Sequence, residues 1–283
     1  MNRVLRIFKS GREPSQAVNH IVVIVMLMFA LGPVVILGFN SLKSTSELGL
    51  NPLGPPKTIL WENFPNAWEE GNFAVTMRNS ALLVVATVTS VLSLGGMAAY
   101  SLARLKPPGG NAFMVFMLAG TTIPVWLYIV PLFILWRSLG LIDNLFGLIL
   151  IYTAGSSPFA IFLLRSFMVG IHPDLEDAAR VDGANEWQIF TRVILPLAWP
   201  GFLTVGLVVA LGTWGEYQLA LIFVHKPELF PVTTSYSAFA SRFSMDWGLT
   251  SAAAIMMIAP VLIIFLALQR QFIEGLTQGG VKL

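Results

Sequence analysis

Six stretches of this chain are uncharged and about as long as a bilayer is thick. They cover residues 21–39, 79–103, 111–136, 144–164, 193–215 with a continuation at 217–224, and 247–269. A helix needs about 20 predominantly apolar residues to cross the hydrocarbon layer. The pattern therefore predicts an all-α polytopic membrane protein with transmembrane helices at about 21–40, 78–103, 111–136, 144–165, 193–224 and 247–269. The first run is read as a membrane helix and not as a signal peptide, whose apolar region would be shorter and followed by a small-residue cleavage site. The fifth run is too long: roughly 32 residues at ~1.5 Å each reach about 48 Å, against a ~30 Å core. It must tilt, break or protrude, and Gly206, Gly212 and Gly215 offer places to bend.

Polar sequence fills the gaps unevenly. Residues 43–73 are rich in Pro, Gly and Asn, with Trp61 and Trp68 placed to sit at a membrane interface, and read as an external loop. The deepest break is 165–192, RSFMVGIHPDLEDAARVDGANEWQIFTR, with eight charged residues. Pro173 suits a first helical position, and Asp174, Glu176 and Asp177 place negative charge at the positive helix end. Gly183 permits the left-handed backbone that ends such a helix. Asn185 followed by Gln188 has capping-box spacing for a second helix reaching about Leu195. The break is thus a helix–turn–helix knob, a shape for docking, in which Ala178 and Ala179 fit closely because they are small and Gly183 sets the angle.

Composition agrees with the hydropathy pattern: 55% of the residues are hydrophobic and 11% charged, where a soluble domain has about 25% charged. A net charge of +2 gives no reason to expect a nucleic-acid partner. There is no cysteine, which excludes disulfides, thiolate metal sites and cysteine nucleophiles. Lysine and arginine are distributed asymmetrically. The side holding residues 1–20, Arg104, Lys106, the knob and the tail carries eleven, against six on the other, so that side is expected to be cytoplasmic. Both termini (1–20 and 270–283) and the 165–193 loop of the 21–269 permease domain then face the cytoplasm.

Asp177-Ala178-Ala179, then Gly183, then Val193, Leu195 and Pro196 resemble the EAA signature of permease subunits in bacterial ABC importers. Asp177 stands where Glu is usual and Val193 where Ile is usual. The longer string 176–200 looks like the carbohydrate-uptake branch, the maltose-type permeases, as do FNSLKS, NPLGPP and WENFPNAWEEGNF in the external loop. The resemblance implies a type I importer permease in the bacterial cytoplasmic membrane that translocates a di- or oligosaccharide by alternating access. It implies a second related permease, two ATPase subunits that carry ATP and Mg, an external solute-binding protein, and no cofactor, metal or catalytic residue on this chain. Glu176, Asp177, Ala178, Ala179, Asp182, Gly183 and Asn185 would couple to the ATPase. Gly275, Leu276, Thr277 and Gly279 resemble the family's closing G-L-T-x-G, a tail that reaches the ATPase subunits.

Within the spans, Gly95-Gly96 with Ala98 and Ala99 suit close helix packing. Glu216 has two open readings: a buried, partnered or water-facing charge, or a group at the external interface beyond a span ending near Gly215. Trp214-Gly215-Glu216-Tyr217 resembles the family's W-N-E-F element, without its amide. Trp126, Tyr128, Trp136 and Trp214 suit either sugar stacking or interfacial anchoring; Trp126, Tyr128 and Trp214 with Glu216 and Tyr217 make the candidate translocation path. No phosphate-cradling G-x-x-x-x-G-K-[ST] loop occurs, so this chain is not the motor by that route. His20, His172 and His225 stand singly. Glycerol-phosphate and other small polar solutes share these motifs. Two other classes are an ion-coupled secondary transporter, supported by Glu216 alone, and a membrane transferase using Asp174 and Asp177, which lacks a second acidic cluster opposite.

Overall fold

The computed structural model describes residues 16–280, with side chains from 18 to 269. Residues 1–15 of the expected N-terminal segment and 281–283 of the tail lie outside the described residues. Among the described residues every regular element is helical. Four helices are long and apolar enough to cross a membrane, and two bent pairs raise the number to as many as six. The chain divides into two compact units.

The first unit comprises residues 16–67 and 242–255. Helix α1 (Gln16–Asn40) is apolar and outward-facing over most of its length, as a helix in lipid can be because it satisfies its own backbone. After it come α2 (Thr45–Leu50), capped by Ser44, and α3 (Asn63–Glu70). Lys43 joins them: it is fully buried, and its ammonium donates to Asn40 Oδ1 at 3.1 Å and the Asn51 carbonyl at 2.8 Å. Asn63 donates to the carbonyls of Ser41 and Lys43. The first residues of α14 (Trp247–Gly280) pack here so closely that a Cβ on Gly248 would collide with the Lys43 carbonyl. Gly248→Val is expected to cost about 1–3 kcal/mol by overpacking, read as a lower unfolding temperature in detergent.

The second unit, residues 68–241 and 256–280, is built on α4 (Phe73–Tyr100), α7 (Leu145–Val169) and α11 (Trp199–Gly215), which pack on one another. Small residues set the approach. A Cβ on Gly95 would lie 3.5 Å from the Ala160 methyl, one on Gly96 would lie 2.8 Å from the Phe202 ring, and one on Gly201 would lie 2.6 Å from Phe167. The last turn of α4 widens into a π-turn, Ser101–Leu105.

The third apolar run is not the single straight helix that its length suggests, and the fifth, too long for one span, is broken. The third divides into α5 (Gly110–Thr122) and α6 (Val125–Ser138), bent by 100°. Pro124 cannot donate, and it pushes Ile123 out of helical geometry to φ −88°, ψ 115°. In the fifth, α9 (Glu186–Ile189), a π-turn (Phe190–Ile194) and α10 (Leu195–Leu197) meet α11 at 77°. Pro200 lacks the N–H that would bond back to Pro196. The run breaks again after Gly215, before α12 (Gln218–Phe223). Gly206 and Gly212 lie inside α11. Then α13 (Val232–Arg242) follows.

Between α6 and α7, Asp143 (φ 53°) accepts from the backbone N–H groups of His225 at 2.5 Å and Lys226 at 3.2 Å. The His225 N–H, first among the causes, holds its carboxyl below the usual carboxylate range. A depressed folded value means that the clamp stabilises fully above the unfolded value near ~4 and is lost as pH falls through the lower folded one. Asp143→Asn is therefore expected to unfold at a lower temperature than wild type at pH 7, with the gap closing in acid below that window.

Candidate coupling site and translocation residues

The knob begins at Pro173, which precedes α8 (Asp174–Val181) with helical dihedrals. Asp174, Glu176 and Asp177 occupy its first turn. It ends in a Schellman arrangement: the N–H of Ala184 bonds the Ala179 carbonyl at 2.9 Å and the N–H of Gly183 bonds the Arg180 carbonyl at 3.1 Å. Gly183 has φ +83°, and no heavy atom lies within 4 Å of where its Cβ would be. Asn185 then caps α9 with both capping-box bonds, each 2.9 Å. The helix beyond continues to Leu197, with five residues of π-turn inside it.

The two faces of the knob differ. Outward lie Asp177, Ala178, Asp182, Gly183 and Asn185, together with Val181 at 88% exposure and Trp187 at 62%. Inward lie Ala179, Ala184 and Ile189, packed into the core that α4, α7 and α11 share. Glu176 also faces inward, its side chain 4% exposed, and forms an ion pair with Arg104 of the α4 π-turn at 2.7 Å. Arg104 donates from Nη2 to the carbonyls of Met168 at 2.5 Å and Ile171 at 2.6 Å. Arg180 ties the knob to itself, reaching Asp177 at 2.9 Å, Glu186 at 3.0 Å and Glu176 at 3.4 Å. Tyr100 donates to Glu186 at 2.6 Å. The Arg180 guanidinium, and after it the Tyr100 hydroxyl, hold the Glu186 carboxyl below the usual range. The same partnership raises Arg180.

Sequence reading did not anticipate Arg104, Tyr100, Arg180 or Glu186. One cue was available: Tyr100 and Arg104 stand four apart at the end of an apolar run, hence on one helix face, and opposite an acidic segment.

Residues 275–279 of the tail continue the backbone of α14, which reaches Gly280. The candidate path residues are scattered within the second unit. Tyr128 lines a cavity of 600 Å³ with Trp136, Thr121, Pro124, Gly155 and Pro158. Trp126 is half-exposed, Trp214 donates to the Met257 carbonyl at 3.1 Å, and Tyr217 hydrogen-bonds Ser237 at 3.0 Å. None of those three lines the cavity, nor does Glu216. Glu216 is fully partnered. Its Oε1 accepts from the N–H of Leu219 at 2.7 Å, and its Oε2 accepts from the N–H of Ala220 at 3.0 Å and the Tyr152 hydroxyl at 2.6 Å. The carboxylate thus supplies the acceptors that the first turn of α12 needs after the break at Gly215. Among the described residues no three His, Asp or Glu lie close enough to hold a metal.

Known proteins share this architecture and sequence. The chain is 35% identical over 282 residues to the diacetylchitobiose uptake system permease protein NgcG of Streptomyces coelicolor, covering 99% of this chain and 93% of that protein. It is 35% identical over 256 residues to the trehalose transport system permease protein SugB of Mycobacterium tuberculosis, covering 90% and 93%. A chain in the crystal structure of a bacterial ABC transporter involved in the import of the acidic polysaccharide alginate superposes with a TM-score of 0.81 at 25% identity, covering 96% of this chain and 99% of that one. Residues 91–277 match the family described as binding-protein-dependent transport system inner membrane component. With the family match and near-full-length relatives at 35% identity in agreement, the chain belongs to that family of multi-pass inner-membrane transport components.

Proposed function

We propose that this chain is one permease subunit of an ATP-driven importer for a di- or oligosaccharide. It works beside a second, related permease, two ATPase subunits that hold ATP and Mg, and an external solute-binding protein. The termini and the 165–193 knob face the cytoplasm. The observation that carries the reading is the outward face of the knob: an acid pair, Asp177 and Asp182, around exposed Val181, on a backbone fixed by two caps and an inner ionic frame. A rigid apolar centre with a charged rim suits a protein partner. Relatives at 35% identity that are named for the uptake of diacetylchitobiose and trehalose support a sugar as solute.

Motion follows if the knob has different contact energies in the open and closed states of the ATPase pair. Closure then moves the helices that the knob touches and opens the cavity to the outside. The residues 275–279 extend toward the same partners. The test is uptake, into right-side-out vesicles loaded with ATP and supplied with the external binding protein, of a panel holding diacetylchitobiose, trehalose, an arabino-oligosaccharide and glycerol phosphate. Orthovanadate-sensitive uptake of one of the sugars is expected. Uptake of glycerol phosphate alone replaces the sugar reading, and vanadate-insensitive, gradient-dependent uptake replaces the importer reading with a secondary transporter.

A further inference from the structure

The knob is joined covalently to α7 before it and to α10 and α11 after it, yet its buried ion pair is to the π-turn that ends α4, 72 residues away in the chain (176 − 104). The link to α7 passes through Gly170-Ile171-His172-Pro173, a turn that by itself would let α8 swivel. Arg104 closes that swivel. One guanidinium takes the carbonyls of Met168 and Ile171 at the end of α7 and, 2.7 Å away, the Glu176 carboxylate in the first turn of α8. A planar guanidinium can donate from Nη2 to two carbonyls while its charge faces a carboxylate, an arrangement that an ammonium on a flexible stem does not fix. The cation also suits the negative C-terminal end of α7. Its side chain is 10% exposed and that of Glu176 4%, so water does not compete. One turn earlier, Tyr100 fastens the same face of α4 to Glu186, at the start of α9. Both halves of the knob are therefore pinned to the last turns of α4, where the helix opens into a π-turn, a form frequent at functional positions.

We infer that Arg104, seconded by Tyr100, is a positioning residue that passes movement of the knob into α4. The driven element is then α4, with α7 and α11 carried by packing, and not only the two spans that flank the knob. This rests on the importer reading above and adds to it the route by which the work enters the membrane.

The absence of cysteine makes the test direct. A single Thr121→Cys reporter in the cavity wall is labelled with a cationic methanethiosulfonate in the complete complex, purified with its ATPase subunits into lipid nanodiscs, with and without ATP and vanadate. In the otherwise wild-type chain, trapping is expected to change the labelling rate by about fivefold or more, the lower range of allosteric coupling. With Arg104→Gln the labelling change, normalised to the ATPase subunit that copurifies, is expected to disappear. Tyr100→Phe, which removes one oxygen and keeps the ring against Phe190, is expected to reduce the change at unaltered hydrolysis. A full labelling response in Arg104→Gln overturns the proposal. So does a loss of ATPase binding in Arg104→Gln together with a normal response in Tyr100→Phe, because the role is then one of folding or attachment. If the reporter chain itself binds no ATPase subunit, the importer reading fails first, and that outcome is visible before any Arg104 variant is made.

Discussion

Gly183→Val is expected to abolish uptake while the chain still inserts into the membrane. Space is not the obstacle, since a Cβ at this position meets no atom within 4 Å. The obstacle is the backbone. At φ +83° a β-branched residue clashes with its own peptide groups, at a cost of about 1–3 kcal/mol, and the chain relieves that cost by leaving the left-handed region. The bonds from Gly183 to Arg180 and from Ala184 to Ala179 are then lost, and Asn185 no longer presents its cap to α9 at the same angle. A knob whose halves have swung apart cannot offer Asp177 of α8 and the exposed Trp187 of α9 to one partner surface together. Gly183→Asn isolates the cause, because Asn tolerates the left-handed conformation while adding more bulk than Ala. It is expected to retain most uptake. Vesicle uptake, with the membrane content of each variant as control, decides: equal loss in both variants makes the site steric, and wild-type uptake in Gly183→Val removes the angle from the mechanism.

Glu176→Ala is expected to be the most destabilising single change in the knob, at about 3–5 kcal/mol, because it leaves a buried guanidinium without its counter-charge. Removing both partners is a different experiment. Arg104→Leu with Glu176→Leu leaves no orphaned charge and is expected to unfold at a temperature well above that of Glu176→Ala, though the Met168 and Ile171 carbonyls lose their donor. Thermal unfolding of the purified chain in detergent reads both. A loss below ~1 kcal/mol in Glu176→Ala would mean that the pair behaves as an exposed salt bridge.

Much of this arrangement is written in local sequence, and the rest is not. The knob was legible because each of its corners is a short-range device: Pro173 before α8, Gly183 after it, and Asn185 with Gln188 three residues on. The close approach of α4 to its neighbours was legible in Gly95-Gly96. A break in the fifth run was legible in its excess length and falls at Gly215, but the 100° bend of the third run was not, because run length carries no direction. Proline does not settle the matter either: Pro33, Pro131, Pro158 and Pro260 sit inside helices, whereas Pro124 and Pro200 stand at the start of helices that follow a break. The same limit applies to charge. Nothing near Glu216 in sequence announces Tyr152, 64 residues away, and nothing near Glu176 announces Arg104. Glu176 and Asp177 look alike in sequence, but one closes an internal frame and the other faces outward.

One consequence follows from the length of α14. Its 34 residues, Trp247–Gly280, form a single helix, which at ~1.5 Å per residue is about 51 Å long. A ~30 Å hydrocarbon layer hides little more than half of such a rod. The stretch apolar enough to cross ends at Gln269, so residues 270–280, with 275–279 among them, prolong the same helix by about 16 Å beyond it.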